Sequence, residues 1–148
     1  MSNQLKSVNL GSFSLDYLRF GRGEEALIIL PGLSAQSVLG QADAIERAYA
    51  PLANDFDVYL VDQRATPPDP YPIHDIAQDT YQALRAIGLT RINLFGVSLG
   101  GMIAQDLSAS HPEFVQKLVL GSTSTFVWDK PRQIIEQWIT LAEQGDKF

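Results

Sequence analysis

A strand-like run, Ile92-Asn93-Leu94-Phe95-Gly96-Val97, gives way to a helix-like run, Leu99 to Ser110, across the single residue Ser98. A chain that turns from strand to helix in one residue has few ways to do so. The turn is Gly96-Val97-Ser98-Leu99-Gly100-Gly101, a Gly-x-Ser-x-Gly pattern set between the two elements that give it meaning. The serine backbone in such a turn is strained, and a Cβ at position 96 or 100 would collide with the neighbouring strand or helix. Gly101 extends the same need for close packing. The result is a Ser98 Oγ that stands exposed at the carboxyl edge of a sheet. The Leu99 N–H points toward the same space from the first turn of a helix, whose positive end favours a developing negative charge. A Gly/Ser-rich connection without chemistry is the bland alternative, and the strand before and helix after weigh against it.

The rest of the chain supplies a sheet for this turn. Leu5 to Leu10 and Ser14 to Phe20 alternate apolar and polar residues around Gly11-Ser12, the pattern of an N-terminal hairpin. Ala26 to Leu30 runs apolar without alternation, as a strand covered on both faces does, and Pro31-Gly32 ends it. Ser37 to Leu52 has helical composition. Phe56 to Val61 reads as a strand, and the proline-rich stretch from Thr66 to Pro72 reads as a loop. Asp75 to Ile87 reads as a helix stopped by Gly88, and Val115 to Leu120 as a further buried strand. Strands alternating with helices imply an α/β fold, a mostly parallel sheet with an N-terminal hairpin and helices on both faces. After Gly121 the pattern changes to a polar loop and a lone helix, Pro131 to Gln144. The expected division is therefore residues 1–121 as core and 122–148 as the start of a lid or cap.

Composition narrows the function classes. The 148 residues carry a net charge of −6, with Lys and Arg scattered, so a nucleic-acid partner with its phosphates is not expected. There is no cysteine, which excludes disulfides, a thiolate metal site and a cysteine nucleophile. No metal and no cofactor are expected, and a nucleotide-binding α/β protein lacks support, since neither Gly-x-Gly-x-x-Gly after the first parallel strand nor a Gly-Lys-Ser/Thr phosphate loop is present. The N-terminal segment lacks the pattern of a signal peptide, and no apolar run approaches the ~20 residues of a membrane span. A cytoplasmic protein without membrane contact is the default expectation.

The stretch Gly-Val-Ser-Leu-Gly-Gly-Met-Ile-Ala-Gln, followed by His-Pro-Glu-Phe-Val-Gln-Lys-Leu-Val-Leu, resembles the nucleophile strand, helix and next strand of the α/β-hydrolase superfamily. It looks closest to the branch of serine esterases, enol-lactonases and cofactor-free perhydrolases. The resemblance implies a serine hydrolase that cleaves a carboxylic ester, thioester or lactone through an acyl-enzyme on Ser98. It places the second oxyanion-hole N–H on Leu33 in Leu30-Pro31-Gly32-Leu33, with Pro31 standing where the family often has His. Asp62-Gln63-Arg64 resembles the family's Asp-x-Arg-Gly, with Ala65 in place of Gly, and is expected to brace its loop by charge-assisted hydrogen bonds.

A serine hydroxyl needs a base, usually a histidine held by a carboxylate. His111 follows Ser98 by a helix length, ~20 Å at 1.5 Å per residue, and is out of reach. His74 precedes it, near the start of a helix, and reads as a solvated residue. Asp129, Glu136, Glu143 and Asp146 fall in the lid-like segment. Tyr71, Met102, Phe126 and Trp128 are candidates either to line a pocket or simply to pack. The resemblance places acid and base after two further strands, so the chain reads as an α/β-hydrolase fold truncated after about six strands. Such a chain is expected to be inactive alone and to leave the Val115–Leu120 strand as an open sheet edge, open to self-association. The alternative is a non-catalytic binding or oligomerising module that kept the fold.

Overall fold

A computed structural model describes residues 4–34, 36–125 and 129–144. Six strands form one sheet: β1 (Gln4–Asn9), β2 (Ser14–Gly21), β3 (Glu25–Leu30), β4 (Phe56–Val61), β5 (Ile92–Val97) and β6 (Val115–Gly121). Their order across the sheet is β1-β2-β4-β3-β5-β6. The hairpin β1–β2 is antiparallel and β2 also meets β4 antiparallel, while β4, β3, β5 and β6 run parallel to one another. The helices are α1 (Ala42–Tyr49), α2 (Ile73–Ala86), α3 (Leu99–Ser110) and α4 (Asp129–Glu143).

Alternation along the strands sorts the core into two layers. Leu15, Tyr17, Ile28, Leu30, Tyr59 and Val61 point to one face, where Ile76, Ala83 and Leu84 of α2 and Ile103, Ala104 and Leu107 of α3 cover them. Leu18, Phe20, Leu27, Ile29, Val58 and Leu60 point to the other, where Leu39 and Ala53 join them and Ile45 and Tyr49 of α1 pack alongside. The apolar run of β3 is thus explained by helices on both faces, as expected. No helix among the described residues is long and apolar enough to cross a membrane.

Three differences from the sequence reading have a physical reason in the structure, beside the start of α4 at Asp129 rather than Pro131. Ser37 to Leu52 is not one helix: a 3-10 turn at Val38–Gln41 leads into α1, which ends at Tyr49. Ser37 Oγ accepts the Leu39 N–H and starts the turn, and Gln41, at φ −110° and ψ 27°, breaks the regular backbone before α1. Helix α2 begins at Ile73 rather than Asp75, because the Pro72 carbonyl accepts from the Asp75 and Ile76 N–H groups. The third concerns β6, which is not buried. Among the described residues it has a neighbour on one side only, and Leu118, Val119 and Leu120 are 38%, 58% and 42% exposed.

Candidate active site

Strand β3 leads toward α1 on one face and β5 leads into α3 on the other. Between two adjacent parallel strands whose connections leave in opposite directions, a crevice opens at the carboxyl ends, where ligands of open α/β sheets bind. Leu30 is paired with Gly96, so Pro31-Gly32 and Val97-Ser98 emerge side by side into that crevice.

Ser98 has φ 52° and ψ −117°, a conformation that L-residues rarely adopt and that stores strain. Its surroundings hold it there. The Ser98 N–H donates to the Gly121 carbonyl at 3.0 Å, and the Ser98 carbonyl accepts from Gly101 N at 3.0 Å, Met102 N at 3.2 Å and Thr123 Oγ1 at 2.7 Å. The glycines are required by space. A Cβ at Gly96 would meet the Gly100 carbonyl and lie 2.7 Å from Gly101 Cα, and a Cβ at Gly100 would drive into the Leu30 carbonyl. A Cβ at Gly101 would meet Thr123 at 2.5 Å. The side chain of Ser98 is left exposed at the start of α3.

Leu33 and Leu99 are each one residue from the close approach of Gly32 to Ser98. Leu99 is the first residue of α3, so its N–H lies outside the intrahelical ladder. Leu33 follows Gly32, which faces Ser98: a Cβ built on Gly32 would stand 3.3 Å from Ser98 Cβ and 3.8 Å from its Oγ. Only glycine leaves that approach free. The Leu33 side chain is 75% exposed. A cleft of about 670 Å³ runs from Gly32 and Val97 under the loop that leads to α1.

The two histidines are held elsewhere. His74 Nδ1 lies 3.0 Å from Asp106 Oδ1, on α3 eight residues past Ser98, about 12 Å along the helix axis. His111 caps the far end of α3, stacks on Tyr81 with ring centroids 3.6 Å apart, and places Nε2 3.1 Å from Gln78 Oε1. Neither reaches Ser98. Among the described residues no group of three or more His, Asp or Glu is arranged to hold a metal ion.

The expected Asp62–Arg64 brace takes a different form. Asp62 accepts its neighbour's N–H, from Gln63, at 2.9 Å, whereas Arg64 donates from Nη2 to Asp79 Oδ2 of α2 at 2.7 Å. Tyr71 donates its hydroxyl to the same Asp79 oxygen at 2.5 Å, and the Arg64 guanidinium lies 3.6 Å from the Phe13 ring centroid. Tyr71 is thus part of this cluster, and burial together with the bond to Asp79 raises its pKa above the ordinary value of 10. Arg64, Tyr71 and Pro31 wall one small cavity, so the cluster supports the Pro31-Gly32 turn from behind. Asp79 was not singled out in the sequence, although an acid inside an amphipathic helix at a position facing the core was its signal. Met102 sits half-buried on α3. Phe126, Trp128 and Asp146 lie outside the described residues, as does the Asp129 side chain, while Glu136 and Glu143 lie on the exposed part of α4.

The family model for the alpha/beta hydrolase fold matches residues 25–145. The serine hydrolase BPHL of Mus musculus is 26% identical over 148 residues, covering 95% of this chain and 50% of the mouse protein. The Caulobacter segnis protein provisionally named carbamate hydrolase RutD is 28% identical over 117 residues, covering 78% of this chain and 42% of that protein. Among solved structures, a hydrolase from Pseudomonas aeruginosa superposes with a TM-score of 0.74 at 28% identity, covering 94% of this chain and 53% of that one. The chain spans about half the length of the curated relatives it matches. The strand order, the strained Ser98 turn and the family match agree: this chain belongs to the α/β-hydrolase fold family.

Proposed function

We propose that Ser98 is the nucleophile of a serine hydrolase acting on a carboxylic ester, thioester or lactone, and that these 148 residues are the nucleophile-bearing portion of it. The observation that carries this reading is the strained, exposed Ser98 at the start of α3, facing Gly32 across the crevice. Ser98 Oγ attacks the substrate carbonyl carbon and gives its proton to a base. The carbonyl oxygen becomes an oxyanion, held by the N–H groups of Leu33 and Leu99. The bond to the leaving oxygen or sulfur breaks, the leaving group takes the proton, and water then hydrolyses the acyl-enzyme by the same steps. Gly96 and Gly100 serve the elbow by letting α3 approach β5 and β3, and Gly101 serves it by leaving room for Thr123.

The base and its carboxylate are not supplied by His74 or His111, whose positions exclude them. We place both outside these residues, with residues 1–121 as core and 122–148 as the beginning of a lid. Alone, the chain is then nearly inactive, and a small ester-like molecule is the substrate of the completed site. Intact-mass measurement after exposure to a small fluorophosphonate tests the reading. Labelling is expected to be slow at neutral pH, to rise in proportion to hydroxide, and to vanish in Ser98→Ala. Rapid labelling at pH 7 would contradict the missing base, and absence of Ser98 adduct at any pH would overturn the nucleophile.

A second reading, a non-catalytic module that associates with itself, is favoured by β6. Among the described residues nothing pairs with its outer edge, and apolar side chains are exposed on both of its faces. A discrete dimer of 148-residue chains with no Ser98 adduct at high pH would favour it.

A further inference from the structure

The main chain of Ser98 is gripped from two segments. Its N–H donates to the Gly121 carbonyl at 3.0 Å, and its carbonyl accepts from Gly101 N at 3.0 Å and Met102 N at 3.2 Å. A third donor reaches that carbonyl, Thr123 Oγ1, and at 2.7 Å it makes the shortest bond of the three. Gly101 and Met102 belong to α3 itself, whereas Thr123 comes from the loop after β6, 25 residues further along the chain. That loop is tied down on both sides of Thr123. Ser122 turns the chain at φ 48°, Gly121 is held through the Ser98 N–H, and Gln105 Nε2 donates to the Ser124 carbonyl at 3.3 Å. Thr123 presses so closely on α3 that a Cβ on Gly101 would stand 2.5 Å from it.

The Ser98 carbonyl and the Leu99 N–H are two ends of one trans peptide plane, so they are rigidly coupled and point in opposite directions. Whatever fixes the carbonyl therefore fixes the N–H. The carbonyl end has three donors; the Leu99 N–H has no acceptor among the described residues and is the group assigned above to the oxyanion. The two donors from α3 lie along the helix, and a plane held from one direction can still tilt. A donor from a second segment removes that freedom. Accepting a hydrogen bond at the oxygen also polarises the amide and strengthens its N–H as a donor. Aim matters, because a donor must stand about 2.7–3.1 Å from the place where the charge develops. We propose that Thr123 is a positioning residue of the Ser98 site, its hydroxyl aiming and polarising the Leu99 N–H through the peptide they share with the Ser98 carbonyl. The proposal rests on Ser98 being the nucleophile.

Thr123→Ala and Thr123→Ser differ from each other by that hydroxyl alone, so the pair isolates it. The readout is the reaction of Ser98 in the 148-residue chain with a small fluorophosphonate: hydroxide takes the Oγ proton, the Oγ–P bond forms and fluoride leaves. Thr123→Ala is expected to label about ten-fold more slowly than the parent, a part of the roughly 10²–10³ that a whole oxyanion donor is worth. Its log rate should run parallel to the parent's against pH, since the Thr123 hydroxyl takes no proton from Ser98. Thr123→Ser should recover most of the rate. In NMR spectra the Ser98 carbonyl carbon and the Leu99 amide nitrogen should move upfield in Thr123→Ala and stay in place in Thr123→Ser, a signature that general loosening of the fold would not give. Equal rates in the two variants, slower labelling with those two resonances unmoved, or moved resonances with an unchanged rate would each overturn the proposal. Should Thr123→Ala not fold, Gly101→Ala breaks the same bond by displacing Thr123, and it must slow labelling and move the same resonances or the proposal fails. A parent chain with no Ser98 adduct at any pH would remove the nucleophile and this role together, whereas a labelled parent matched by Thr123→Ala would remove the role alone.

Discussion

Arg64, just past the end of β4, donates to Asp79 of α2 at 2.7 Å, and the two side chains are only 17% and 12% exposed. The pair is therefore largely withdrawn from solvent, and its value lies in what happens when one member is lost. Removing the carboxylate leaves a guanidinium against Phe13 and Tyr71 with no counter-charge. Asp79→Ala is expected to destabilise the chain by about 3–5 kcal/mol, the cost of stranding a buried charge. Replacing both residues by apolar ones of similar volume should cost much less. Urea unfolding of the single and double variants checks this, and a double variant as unstable as Asp79→Ala would refute it.

Two phenols, Tyr59 buried and Tyr71 half-buried, make the fold sensitive to alkali. Tyr59 is 5% exposed and donates to Asp57 Oδ2 at 2.8 Å, while Asp57 also receives Arg19 through Nε and Nη2. Burial, then the hydrogen bond to Asp57, raises the Tyr59 pKa above its ordinary 10, and Tyr71 is raised in the same way beside Asp79. Folding thus favours the protonated phenols. Their contribution is complete below the unfolded pKa of about 10 and is lost as pH rises toward the folded values. For Tyr59 the slope is at most about 1.4 kcal/mol per pH unit. Unfolding free energies measured from pH 9 to 12 should fall less steeply in Tyr59→Phe than in the parent chain. Identical slopes would show that Tyr59 is not held protonated.

The Ser98 backbone yields a prediction that separates strain from chemistry. At φ 52° and ψ −117° glycine is at ease and any residue with a Cβ is not. Ser98→Gly and Ser98→Ala both delete the hydroxyl, but only the first relieves the backbone. The glycine variant is expected to be more stable than the alanine variant by about 1–3 kcal/mol. Thermal and denaturant unfolding of the pair would expose an unstrained elbow as equal stabilities.

These elements differ in how far the sequence disclosed them. The strands Phe56–Val61 and Ile92–Val97 and the helix Leu99–Ser110 match their expected bounds, because each is fixed by a local signal: an apolar run, a proline or glycine, a change of period. The elbow was legible through its own spacing, Gly-x-Ser-x-Gly between a strand and a helix, although only the contacts of Gly96 are local and those of Gly100 and Gly101 reach Leu30 and Thr123. Contacts between distant segments left weaker traces. Asp79 as the partner of Arg64, and Thr123 as the hydroxyl that fixes the Ser98 carbonyl, depend on how α2 and the loop after β6 cross the site. Nothing in a single sequence marks Thr123 apart from its polarity, and the only trace of Asp79 is an acid on the core-facing side of an amphipathic helix. Burial of β6 was misread because its run of Val and Leu specifies a strand that is made to be covered, not whether these 148 residues cover it.

That uncovered strand gives the last expectation. Strand β6 presents a row of unpaired backbone groups along one side and Leu118, Val119 and Leu120 in partly exposed positions. An edge that long, lacking proline, is a template for pairing, and its Lys117 is a single charge within seven residues. We propose that two copies of the chain pair there, β6 to β6. Val119 is the most exposed of the three, at 58%, so replacing it costs little packing. Val119→Lys sets a second charge on the face that already carries Lys117, and two copies would then bring four such charges together. Sedimentation velocity over a concentration series should show the parent chain shifting toward dimer and Val119→Lys remaining monomeric, with unfolding free energies within about 0.5 kcal/mol of each other. A parent chain that stays monomeric at every concentration, or a variant that dimerises as readily, would dismiss β6 as the contact.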